Sequence, residues 1–151
     1  MEESMMNGSS LAFIGDAVFE LMVRKYVLEH GSGQPDRLHK HSTAVVNAAA
    51  QSELIGLLMD ELTEEELGIY KRGRNSSTAT SAKHQTIGDY RRATGLEALF
   101  GYLFLAGRYD RLSELFGLGM EKKKTGSGIA AEKRNAGSGI AAEKKSANNL
   151  E

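Results

Sequence analysis

Three carboxylates stand among residues that do not favour charge. Asp16 lies within Leu11-Ala12-Phe13-Ile14-Gly15-Asp16-Ala17-Val18-Phe19-Glu20, and Glu97 lies within Leu96-Glu97-Ala98-Leu99-Phe100-Gly101-Tyr102-Leu103-Phe104. A buried charge costs several kcal/mol unless a partner compensates it. Asp16 and Glu97 are expected to be buried, and Glu20, one helical turn beyond Asp16, shares its face. Two or three acids converging from separate helices can hold a hard divalent cation, because Mg²⁺ takes oxygen ligands and keeps several waters that a phosphate can displace. The residues alone leave a plainer reading open, in which Arg24, Arg91, Arg92 or a helix amide satisfies each acid. Other chemistries find less support. There is no cysteine, the glycines form no phosphate-binding P-loop, and His30, His39, His41 and His84 show no pairing with a nucleophile.

The elements that must position these acids read as all-α. There is a single proline, Pro35, and long stretches carry apolar residues three and four apart. A first helix is expected from a Ser9 or Ser10 cap to about His30, closed by Gly31 in the left-handed conformation. Its apolar faces are Leu11, Ile14, Val18 and Met22 on one side and Phe13, Val23 and Val27 on the other. A second helix is expected from Pro35 to about Met59, and Thr63-Glu64-Glu65-Glu66 reads as a capping box opening a short helix to about Lys71. Residues 72–86 hold no large apolar side chain and read as a loop. The stretch Asp89–Ala106 is apolar almost all round, so it should be a buried central helix ended by Gly107, followed by a short helix from Tyr109 to Phe116.

A chain of 151 residues suits one compact domain, here expected over 1–118. Residues 1–116 carry 12 Lys+Arg against 16 Asp+Glu, whereas 117–151 carry 7 against 4. Within that basic tail, Gly126 to Ala136 recurs almost unchanged as Gly137 to Ala147. Gly-Ser-Gly interrupts each copy and Ile129 and Ile140 are its only large apolar residues, so 119–151 is expected to be a disordered appendage. No apolar run approaches the roughly 20 residues of a membrane span. A cytoplasmic protein is expected.

The two acid-bearing segments, and their separation, resemble the signature helices of the ribonuclease III catalytic domain. The run from Leu11 to Phe116, including Lys71-Arg72-Gly73-Arg74-Asn75 and Tyr90-Arg91, resembles within that family the mini-ribonuclease III branch, which consists of the catalytic domain alone. The 35 residues after Phe116 are too few and too polar for a double-stranded-RNA-binding domain. The resemblance implies the all-α ribonuclease III endonuclease fold, a homodimer, and a Mg²⁺-dependent endoribonuclease acting on double-stranded RNA, with Mn²⁺ as a substitute. It implies Asp16 and Glu97 as catalytic metal ligands, and precursor 23S ribosomal RNA as substrate, with a large-subunit ribosomal protein assisting. Ordinary members carry a glutamate where this chain has Ala12 and an aspartate where it has Thr94. Thr94 and Glu20 are then site-shaping residues. With fewer carboxylates, metal binding should weaken and Asp16 should be the most damaging residue to replace.

For RNA contact, Lys71, Arg72, Arg74, Asn75, Ser76, Lys83 and His84 offer positive charge and polar donors for phosphates and 2′-hydroxyls, and His39 with Lys40 offers a second patch. Leu21, Met22, Phe100 and Leu103 are candidates for a hydrophobic two-fold interface or for the core, which sequence does not separate. The competing readings are a catalytically silent module that binds structured RNA or ribosomal particles, and a plain helical dimerisation module.

Overall fold

The computed structural model describes residues 2–31, 33–78 and 86–126, and among these there is no strand. A single 3-10 turn, Glu3–Met5, precedes α1 (Gly8–His30), α2 (Pro35–Val46) and α3 (Ala48–Leu58), which runs into a second such turn, Met59–Glu61. Then come α4 (Glu64–Ser76), α5 (Ile87–Leu105) and α6 (residues 109–119). Met1–Gly119 forms one compact unit. In the unit that follows, residues 120–126 are described and are helical.

The all-round apolar sequence of α5 makes it the axis of the fold. Thr86 caps it by accepting from the Asp89 amide, and α1, α3 and α4 pack around it. Leu96, Leu99, Phe100 and Leu103 are fully buried, each worth about 1.5–3 kcal/mol by removal from water. Phe19 of α1 meets Phe100 at 5.7 Å and Phe116 of α6 at 6.0 Å between ring centroids. Of the two places open to them, Phe100 and Leu103 therefore take the core.

Glycines set how closely the helices cross. A Cβ on Gly15 would lie 1.6 Å from the Glu97 carbonyl oxygen, and one on Gly101 would lie 2.0 Å from that of Leu11. The backbones of α1 and α5 thus touch directly, which any side chain would prevent. On the other flank of α5, a Cβ on Gly73 of α4 would fall 2.3 Å from the Ala98 Cβ.

Local signals fixed several boundaries as expected. The Thr63 hydroxyl accepts from the Glu66 amide at 3.2 Å while the Glu66 carboxylate accepts from the Thr63 amide at 2.9 Å, completing the capping box. Glu66 is buried, which pushes its carboxyl up, but hydrogen bonds from the Arg111 guanidinium and the Thr63 amide prevail and hold it below the usual range. That pair ties α6 to α4. Gly107 has φ +69°, the left-handed conformation that ends α5.

Other boundaries moved. The helix expected over Pro35–Met59 breaks at Asn47, whose backbone is extended (φ −71°, ψ 156°) and whose side chain accepts from the Ala50 amide to start α3. Asn7, two or three residues earlier than expected, caps α1 by accepting from the Ser10 amide at 2.8 Å. Gly31 ends α1 at φ −100°, not in the left-handed region. Arg72–Ser76 continue α4 where a loop was expected, because Gly73 docks this turn on α5. Helix runs past Phe116 to residue 126, into the segment assigned to the tail. Residues 127–151, with both repeats, lie outside the described residues.

Candidate active site

Because Gly15 seats α1 on the Glu97 carbonyl, the next residue, Asp16, is brought to the side of α5 that carries Glu97. Both acids line one cleft of about 250 Å³. Ser9, Ala12 and Phe13 of α1 complete one wall, Tyr90 and Thr94 of α5 the other, and Ser76, Ser77 and Thr78 close the end at the terminus of α4.

The two acids differ in environment. Asp16 is solvent-exposed, contrary to the expected burial. Its hydrophobic neighbours misled that expectation, since Phe13 is 80% exposed and this side of α1 faces outward. Glu97 is half-buried and its carboxyl is pushed up to about 7, first by burial and then by the negative charge of Asp16, against a lowering hydrogen bond from Gln51. Loss of solvation and a neighbouring negative charge both disfavour the ionised form of Glu97. The donor set is all oxygen, and among the described residues no group of three or more acids, histidines or cysteines could hold a metal ion. Ser77 Oγ, at the cleft's end, is the one buried side-chain oxygen or nitrogen without a hydrogen-bond partner among the described residues. A half-buried carboxylate facing a second carboxylate in one cleft, with a hydroxyl that has no partner among the described residues at its end, fits a hard cation that takes few protein ligands and keeps its water.

The remaining expected residues are dispersed. Glu20 does not line the cleft and pairs with Arg24 at 2.5 Å on the same helix. Thr94 lines the cleft, and its hydroxyl donates to the Tyr90 carbonyl at 3.0 Å. Lys71, Arg72, Arg74, Asn75 and Ser76 form the last turns of α4, leading to the cleft. Arg72, however, donates to the carbonyls of Ser4 at 2.5 Å and Met6 at 3.1 Å, fastening the N-terminal segment to α4. Arg74 donates to Asn75 Oδ1 at 3.2 Å and lies over the Tyr70 ring. His39 and Lys40 are exposed on α2, a helix with no buried residue. Lys83 and His84 lie outside the described residues.

Sequence reasoning missed Gln51. It is 3% exposed on α3 and its Nε2 donates to Glu97 Oε1 at 3.2 Å. The signal was present, for Gln51, Leu54, Ile55 and Leu58 follow the three- and four-residue spacing of a core face. Away from the cleft, an apolar groove of about 450 Å³ is lined by Ile14, Ala17, Leu21 and Met22 of α1 with Phe104 and Tyr109.

The Ribonuclease III domain matches residues 9–108 of the chain. "Mini-ribonuclease 3" of Streptococcus pneumoniae is 40% identical over 124 residues, 81% of this chain and 97% of that protein. The protein of the same name from Clostridium tetani is 44% identical over 114 residues, 75% of this chain and 76% of the relative. A crystal structure of a Fusobacterium nucleatum protein, 34% identical, superposes with a TM-score of 0.70 over 79% of this chain and 95% of that one. Arrangement of helices and kinship over most of the chain agree, and the chain belongs to the ribonuclease III family, in its mini-ribonuclease III branch.

Proposed function

We propose that the chain is an endoribonuclease that hydrolyses double-stranded RNA at the Asp16–Glu97 cleft with Mg²⁺, or Mn²⁺ in its place, and that it matures the ends of 23S ribosomal RNA. The observation that carries this reading is the half-buried Glu97, its carboxyl pushed up first by burial and then by the charge of Asp16, in a cleft that the two acids share beside the basic end of α4. When bound there, the ion would supply a water of lowered pKa and stabilise the oxygen that departs as the phosphodiester breaks.

The protein's own part is placement. Asp16 and Glu97 hold the ion from two helices whose crossing is fixed by backbone contact, and Gln51 holds one oxygen of Glu97. Lys71 and Arg74, on the last turns of α4, and His39 and Lys40 on α2 contact phosphates and 2′-hydroxyls of the duplex. Cutting leaves 5′-phosphate and 3′-hydroxyl ends. Two copies associate through the apolar groove, where Leu21 is 68% and Tyr109 56% exposed, so that paired clefts address opposite strands. No described helix is long and apolar enough to cross a membrane.

The test is incubation of the protein with double-stranded RNA, with and without Mg²⁺, beside Asp16→Asn and Glu97→Gln. Cleavage is expected only from the unchanged chain with metal. Cleavage that persists in both variants overturns the site, and salt-sensitive binding without cleavage by the unchanged chain favours the silent module.

A further inference from the structure

We propose that Gln51 is a positioning residue for the site, holding the Glu97 carboxylate in the orientation that receives a cation; this rests on the reading of Glu97 as a metal ligand.

An apolar side chain would suit the place of Gln51 better if packing were its only task. Its companions on the inner face of α3, Leu54, Ile55 and Leu58, are at most 1% exposed. A buried amide there loses its water and must be repaid by hydrogen bonding. The bond it makes goes across the fold, from Nε2 to Glu97 Oε1 at 3.2 Å. The terminal torsion of a glutamate is broad and roughly two-fold, so nothing intrinsic fixes the plane of its carboxylate. A donor on Oε1 supplies that restraint and favours the ionised form, leaving Oε2 for a ligand in the cleft.

The donor is itself well placed. The Asn47 side chain caps α3 one turn before Gln51 by accepting from the Ala50 amide at 2.9 Å, which sets the register of the helix. The adjacent residue, Ser52, is also buried, and its hydroxyl accepts from Arg92 Nη1 of α5 at 3.3 Å. Two consecutive polar residues of α3 thus bond to α5, one at Glu97 itself and one at Arg92. Partners of this kind around metal ligands commonly change metal affinity about 10–100-fold when removed.

The experiment uses the full chain with Gln51→Leu and the longer Gln51→Met, assayed for cleavage of double-stranded RNA across a Mg²⁺ titration at about pH 8.5, where glutamate is ionised. Mn²⁺ binding is measured in parallel by calorimetry. The half-saturating Mg²⁺ concentration is expected to rise at least roughly tenfold, and Mn²⁺ affinity to fall in step. The rate at saturating Mg²⁺ and the KM for RNA should stay near those of the unchanged chain. An unchanged metal requirement in folded variants overturns the proposal, as does loss of fold in both, which would make the amide structural. Glu97→Gln is run alongside. If it cleaves normally, the site assignment has failed; if it is inactive while both Gln51 variants behave normally, only the role of Gln51 has failed.

Discussion

Replacing Glu97 by glutamine should abolish cleavage and yet make the metal-free protein more stable, with a pH dependence that identifies the cause. The carboxyl is pushed from an ordinary 4.5 to about 7 in the fold. Between those values the folded chain keeps a proton that the unfolded chain has lost, so stability falls as pH rises through the interval and the deficit is complete above it. At 1.36 kcal/mol per unit the full deficit is about 3 kcal/mol, and partial solvent access brings it to about 1–3 kcal/mol. Glutamine keeps the shape and can still accept the Gln51 hydrogen bond, but it carries no charge to desolvate or to repel Asp16. The gain of Glu97→Gln should therefore be near zero below about pH 4.5 and reach about 1–3 kcal/mol by about pH 8.5. Urea unfolding in the presence of EDTA, at one protein concentration across this pH range, measures it directly. Adding Mg²⁺ at about 100 times its Kd should stabilise the unchanged chain by about 2.7 kcal/mol and the variant far less, closing or reversing the gap. A variant that is less stable at alkaline pH, or a difference that does not vary with pH, would refute the electrostatic account of the site.

Four further outcomes follow from the same geometry. At limiting Mg²⁺, cleavage should fall about tenfold per unit below about pH 7 as Glu97 takes up its proton; Asp16→Asn, which removes the second cause of the raised value, should move the acid titration of Glu97 followed by NMR downward, and an unmoved midpoint would contradict the coupling. Gly15→Ala should destabilise the fold by about 1–3 kcal/mol or more through overpacking and remove activity with it, as thermal melts and cleavage assays on the same sample would show. Lys71→Ala should weaken RNA binding and lower the salt dependence by about one contact, whereas Arg72→Ala should chiefly loosen the N-terminal segment, detected as faster amide exchange at residues 3–6. Leu21→Glu, in the exposed apolar groove, should yield monomers in sedimentation equilibrium, and an unshifted mass would place the dimer contact elsewhere.

What the sequence revealed, and what it hid, divides by range of interaction. The capping box at Thr63 and Glu66, the helix end at Gly107 and the central α5 were legible because each is written in a few adjacent residues or in one all-round apolar helix. Asn47 escaped because apolar residues continue on both sides of it with no proline or glycine between. The last turn of α4 escaped for a different reason, since polar residues 72–76 are held helical by what Gly73 touches on α5. Asp16 and Glu97 share one cleft, as two acids expected to converge, but the burial of Asp16 was misassigned. Hydrophobic neighbours do not say whether they face a core or an open side, and for Asp16, beside Phe13, they face the open side. The apolar residues offered for an interface divided accordingly, with Leu21 exposed and Phe100 and Leu103 enclosed.

The contacts of Gly15 with the Glu97 carbonyl and of Gly101 with the Leu11 carbonyl also bear on how this scaffold can be altered. The gauge between the two acids is cut into the main chain, where there are no rotamers to adjust and no side chains to trim. Rewriting α2 or the end of α4 for a new RNA preference leaves that gauge untouched. A single methyl group on either glycine resets it, so in any redesign these two positions, which bind nothing, are as untouchable as the acids themselves.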